Sequence, residues 1–135
     1  QLKRSNKYQN KGSIAIFDRF PQIQFSGLYD GPKIEICYAN YMNSWFFKRL
    51  AKRERRLLEK ASVYQPNIVI KLIISPELSI KRKPDHNIDE IIKKVKITEE
   101  LFFKKSITYR IDATQKYANE LLEVKRIVWK AISNH

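Results

Sequence analysis

The chain has 135 residues, 43% of them hydrophobic, a formal net charge of +13 and one cysteine. That length allows one domain with a proper core and is short for two, and the hydrophobic share excludes wholesale disorder. The lone Cys37 excludes an internal disulfide framework or a thiol-based metal cluster, and fits a reducing, cytoplasmic setting. His86 and His135 have no ligand-type neighbours in sequence, so no metal site is expected. No apolar run approaches the roughly 20 residues of a membrane span. The excess positive charge points to a polyanionic partner: nucleic acid, nucleotide phosphates or an anionic membrane surface. An ordinary surface in a Lys/Ile/Asn-rich sequence is the alternative.

In chain order, the opening "QLKRSNKYQNKG" (1–12) is a polar, basic segment with no apolar stretch of a signal peptide behind it. Its first residue is Gln1 rather than Met, which reads as a piece of a longer protein. "SIAIF" (13–17) is an apolar run bounded by Gly12 and Asp18, read as a short buried strand. A turn-rich loop, "DRFPQIQFSGLYDGPK" (18–33), leads to helical sequence from Ile34 to Ser62, with a break expected near 40–43. Its second half places Phe46, Leu50, Leu57 and Ala61 on one side and basic residues on the rest, and Pro66 stops it.

"NIVIKLIIS" (67–75) is the clearest strand, apolar except for Lys71, a pattern that predicts burial on both faces in a parallel sheet. "SPELSIKRK" (75–83) reads as a short helix with Ser75 as N-cap and Pro76 in its first position. A polar joint, 83–87, precedes a helix from Ile88 to Lys104 with Asn87 as N-cap. "SITYRIDA" (106–113) alternates as a strand does, and Thr114 is placed as the cap of a last helix ending near Ser133. Strands separated by helical crossovers give an α/β domain: a parallel sheet with helices on both faces, in one partial domain over 1–135.

Ligands of such sheets bind beyond the carboxyl ends of the strands, where Asp18 and Arg19 stand. A guanidinium there can hold a phosphate bidentately, and a carboxylate can order a water or an arginine. A structural turn with an ion pair is the alternative. "FDRFP", "SGLYDGP", "QPNIVIKLIISPELSIKRK" and "YRIDATQ" together resemble, over most of 13–133, the C-terminal two-thirds of thymidylate kinase-like P-loop nucleoside monophosphate kinases. The family's Asp-Arg-Tyr/His motif corresponds to Asp18-Arg19-Phe20, its later strand to Pro66–Leu72, its arginine-rich lid to Lys81-Arg82-Lys83, and its last strand to Ile111-Asp112-Ala113.

The resemblance implies that Arg19 holds the phosphate of an acceptor nucleotide, with Asp18 near the metal and phosphate path and Tyr29 and Asp30 facing the acceptor. Arg82, flanked by Lys81 and Lys83, would bring lid charge to the transferring phosphoryl group, with 83–87 as a lid-like joint. Read without it, "KRK" is a solvated helix end favoured by the helix dipole. ATP and Mg²⁺ are implied by the resemblance only, as is a homodimer. The chain departs from the family at Phe20, which cannot hydrogen-bond, in the spacing to Ser26, Tyr29, Asp30 and Gly31, and in a lid with one arginine. It also lacks G-x-x-x-x-G-K-[ST]: in "GLYDGPK" Pro32 precedes Lys33 and Ile34 stands where a hydroxyl is required. A nucleotide kinase-like domain, inactive as this piece, is therefore the reading. A basic nucleic-acid-binding or non-catalytic structural domain is the alternative, carried by "FFKRLAKRERRLLEK" (46–60), whose aromatics are expected to enter the core. A membrane role for that segment is disfavoured because strands on both sides would occupy its apolar face.

Overall fold

The structure is a computed structural model that describes residues 2–9, 11–34 and 44–133. The chain forms two compact units, Gln1–Pro66 and Asn67–His135. Cys37 and the expected break at 40–43 lie outside the described residues.

In the first unit, the opening basic segment is a helix, α1 (Leu2–Gln9). Its end is set by Gly12, whose φ of +81° lets the Ser13 and Lys11 N–H groups return to the Tyr8 carbonyl. The run 13–17 is not a strand: Ile14 is 62% and Ile16 85% exposed, and no ladder partner occurs among the described residues. Apolar, β-branched sequence becomes a strand only when a neighbour takes up its N–H and C=O groups, and here none does. Helix α2 (Trp45–Ala61) turns Ala51 inward, 4% exposed, with Phe47 and Leu58 beside it half-buried.

The second unit is an α/β layer. Strands β1 (Ile68–Ile73) and β2 (Ile107–Asp112) pair in parallel, Lys71 opposite Arg110 and Leu72 opposite Ile111. Between them run α3 (Pro76–Arg82) and α4 (Ile88–Glu100), and α5 (Tyr117–Ser133) follows β2. Ser75 and Asn87 cap α3 and α4 as expected, through Leu78 N–H (3.3 Å) and Glu90 N–H (3.2 Å). The core is Ile91 and Ile97 of α4 with Ile111 and Ala113 at the end of β2.

Two boundaries differ from the sequence reading. Helix α4 ends at Glu100 rather than Lys104, because Leu101 leaves the helical region while its N–H still reaches the Ile97 carbonyl. Thr114 does not cap α5, which starts only at Tyr117; it sits in a turn in which both its N–H, at 2.8 Å, and its hydroxyl go to the Asp112 carboxylate.

The apolar residues of β1 are only half-buried, and Leu72 is 44% exposed, whereas Lys71 is 8% exposed. Its ammonium donates to the Glu99 carbonyl at 2.7 Å, a C-terminal carbonyl of α4 that has no partner within its own helix. Burial first, then the nearby Arg110 charge, hold the Lys71 pKa below the usual lysine value, with Glu99 acting in the other direction. A lysine with a lowered folded-state pKa contributes stability that is fully present above the unfolded pKa, about 10.4, and is lost as pH falls through the folded value. Lys71→Met is expected to change stability at neutral pH by less than about 1 kcal/mol, since an apolar side chain replaces a desolvated charge. It should also remove part of the rise in stability toward alkaline pH, measured by urea unfolding across that range.

Candidate functional site

Asp18 and Arg19 form an ion pair at 3.6 Å, with side chains 95% and 59% exposed. At this exposure the pair contributes little to stability, so both groups remain open to a ligand. Phe20, beside them, packs edge-on against Phe17 with ring centroids 5.5 Å apart.

The loop that follows is built around Gln22, which is 2% exposed. Its amide nitrogen donates to the Phe25 and Leu28 carbonyls, both at 2.7 Å, and its oxygen accepts the Phe25 N–H at 2.8 Å. The Gly27 N–H donates to the Pro32 carbonyl (2.7 Å) and the Gly31 N–H to the Leu28 carbonyl (3.0 Å), closing the loop on itself. Gly31 is required for space: a Cβ there would overlap the Phe25 carbonyl oxygen and the Gln22 amide nitrogen. Within this frame Tyr29 and Asp30 both take left-handed backbone conformations, φ +48° and +57°. Two consecutive non-glycine residues in that region are held by their surroundings, and such strain gathers at binding sites.

These hydrogen bonds decide a question that "GLYDGPK" raised. A phosphate cradle needs free backbone N–H groups. Here those of Gly27 and Gly31 are used within the loop. The next two, of Lys33 and Ile34, donate to the Glu54 carboxylate of α2 at 3.0–3.2 Å. A carboxylate of the protein already sits where an anion would, so this loop does not fit the triphosphate of ATP.

Lys81 and Arg82 form the last turn of α3, and Lys83 is its C-cap, its N–H shared by the Ser79 and Ile80 carbonyls. All three side chains are exposed. The joint 83–87 is a turn in which the His86 N–H returns to the Lys83 carbonyl at 3.2 Å. Asp18, Arg19, Tyr29 and Asp30 belong to the first unit and the three basic residues to the second.

At the carboxyl end of β1 lies an apolar cleft of about 400 Å³, lined by Ile73, Ile74, Pro76, Ile92 and Val95. Its polar rim is engaged elsewhere: Ser75 caps α3, and Glu99 pairs with Arg110 at 3.7 Å. Two carboxylates near strand ends are held below the usual range. Glu77 is lowered by its own backbone N–H and then by Ser75, and Asp112 by the backbone and then the side chain of Thr114. Both therefore stay ionised through mildly acid pH. Among the described residues no group of three His, Cys, Asp or Glu could hold a metal ion, and no helix is long and apolar enough to cross a membrane.

The chain resembles two Escherichia coli (strain K12) proteins along nearly its whole length. It is 34% identical over 128 residues to the uncharacterized ATP-binding protein YghR, covering 94% of this chain and 50% of that protein. It is 30% identical over 125 residues to the uncharacterized ATP-binding protein YghS, covering 91% of this chain and 51% of that one. The chain thus spans about half the length of the curated relatives it matches. No family model matches it, and no solved structure does.

Sequence reasoning missed Gln22 and Lys71. A glutamine in a polar loop carries no periodic signal. Lys71 did carry one, as the only charged residue in an apolar strand.

Proposed function

We propose that the chain is the acceptor-side part of a nucleotide-binding phosphotransferase of the thymidylate kinase-like kind. In the intact protein it would pass the γ-phosphoryl group of ATP, with Mg²⁺, to a nucleotide or another phosphate-bearing small molecule. The observation that carries this reading is the similarity, along nearly all of the chain, to two proteins named as ATP-binding. The pre-shaped loop after Asp18 and Arg19 supports it, since a connector this long and this well ordered is usually a working part.

In this reading Arg19 holds the acceptor phosphate through two N–H groups, and Asp18 keeps the guanidinium oriented until the ligand arrives. Tyr29 and Asp30 present themselves to the rest of the acceptor from the Gln22 loop. Arg82, with Lys81 and Lys83, supplies positive charge from the end of α3 toward the transferred group. The ATP phosphates are not assigned to 27–34, where the Gly27, Gly31, Lys33 and Ile34 amides are taken; we place their cradle in the part of the relatives that this chain does not span. A homodimer, a cytoplasmic setting and a single domain built from both units belong to the same proposal.

Calorimetric titration of the 135-residue chain with nucleoside monophosphates tests the acceptor side. Saturable binding is expected, weakened about ten-fold or more by Arg19→Ala, the loss of a charge-assisted pair. Binding that ignores Arg19→Ala, or no binding of any monophosphate, would overturn the acceptor assignment. Phosphoryl transfer from ATP by the chain alone is expected to be absent; measurable turnover would place the ATP cradle within these residues after all.

A further inference from the structure

The outward face of α2 is a basic stripe that the acceptor-site reading does not use. At 3.6 residues per turn, Arg49, Lys52, Arg53, Arg56 and Lys60 fall on the face opposite Ala51, and each is exposed. From Arg49 to Lys60 the stripe runs about 16 Å. The two acids of the helix do not offset it. Glu54 is committed to the Lys33 and Ile34 N–H groups, and Glu59 pairs with Arg55 at 3.9 Å on the helix flank. Among the described residues no carboxylate pairs with Lys52, Arg53, Arg56 or Lys60.

The aromatics do not all enter the core, as the sequence reading expected. Phe47 is half-buried, but Trp45 is 71% and Phe46 58% exposed at the head of the helix. Arg49 lies over the Trp45 ring at 5.5 Å, so the indole opens the stripe with one face against a guanidinium. Helix α1 repeats the pairing in the same unit, with Arg4 over the half-exposed Tyr8 at 5.8 Å.

We infer that this face binds single-stranded nucleic acid, the arginines and lysines following consecutive phosphates while Trp45 stacks on an unpaired base. A duplex offers phosphates but keeps its bases within the stack, so it leaves Trp45 unused. A lipid surface needs a broad free apolar face to insert, whereas α2 turns Phe47, Ala51 and Leu58 to the protein and leaves only Trp45 and Phe46 at its head and Leu57 about three turns on exposed. Phe46 and Leu57, both 58% exposed, flank the stripe on one side and add apolar area for a second base.

The test is fluorescence anisotropy of the 135-residue chain with a labelled single-stranded oligonucleotide of mixed sequence, between about 50 and 200 mM salt. Arg49→Gln/Arg53→Gln/Arg56→Gln should weaken binding at least ten-fold and reduce the slope of log K against log salt by about 2. A control that removes equal charge from exposed α5 positions, Lys125→Gln/Arg126→Gln/Lys130→Gln, should leave both unchanged. Trp45→Ala should cost about ten-fold for the single strand and nothing for a duplex of the same sequence. Should the α2 triple variant lose its helical circular dichroism, Trp45→Ala and the single Arg53→Gln carry the test. Equal losses in both triple variants would mean charge attraction without a site and overturn the inference. So would a Trp45→Ala variant that keeps its oligonucleotide affinity, or one that instead loses retention on phosphatidylserine vesicles.

Discussion

Ile111→Ala is expected to lower the unfolding free energy of the second unit by about 3–4 kcal/mol, the upper range for deleting a buried branched side chain. Ile111 is 0% exposed, and it is the only large side chain so completely enclosed among the described residues. It stands in β2 opposite Leu72, on the sheet face away from the Lys71 and Arg110 pair. Few other apolar residues of the second unit are buried: Ile91 and Ile97 of α4, and Ala113 after β2. With so little apolar area to share the loss, a cavity there takes a large part of the usual 5–15 kcal/mol total of about that range for a domain. Urea unfolding followed by far-UV circular dichroism measures it, read as a lower midpoint at unchanged slope. Ile107→Ala, at the 61%-exposed start of the same strand, should cost less than about 1 kcal/mol. Equal losses at the two positions would mean that the sheet is not packed around Ile111.

The contrast between the two strands and the run 13–17 marks what can be read from sequence here. Strands β1 and β2 were legible because each is apolar or alternating and each finds the other, in the parallel order that intervening helices impose. "SIAIF" has the same composition, yet strand formation is a property of two segments, and composition reports on one. The caps Ser75 and Asn87 were legible because a helix N-terminus is a local event settled within four residues. Thr114 failed for a local reason too: Asp112, two residues earlier, draws both its N–H and its hydroxyl into a turn that ends before the helix begins.

At the candidate site, the residue types were legible and the frame was not. Asp18, Arg19, Tyr29 and Asp30 announce themselves by chemistry. Gln22 does not, since its role depends on the Phe25 and Leu28 carbonyls folding back around it. Trp45 and Phe46 were misplaced because neighbours in sequence fall on different faces of a helix. The apolar stripe runs through Phe47, one position further on.

The Gln22 frame yields the second large effect. Gln22→Glu keeps the shape of the side chain but sets a carboxylate oxygen against the Phe25 and Leu28 carbonyls, both of which now accept from the amide at 2.7 Å. Two buried acceptors would lose their donor and face a charge, a cost of about 3 kcal/mol or more to the loop. The two carbonyls would raise the pKa of the introduced carboxyl above the ordinary value of about 4.3, because only its protonated form can donate. A group with a raised folded-state pKa contributes stability below its unfolded pKa and loses it as pH rises through the folded one. The variant loop should therefore be best ordered in acid and loosen toward neutral pH. Amide hydrogen exchange at Gly27 and Gly31, whose N–H groups close the loop in the parent chain, reads this directly. Gly31→Ala should open the same amides at every pH, since its clash with the Phe25 carbonyl does not titrate. If the loop is the acceptor's rim, both variants weaken monophosphate binding, and only Gln22→Glu recovers it on acidification. Unchanged exchange at Gly27 and Gly31 in Gln22→Glu would mean that Gln22 is not what holds Tyr29 and Asp30 in place.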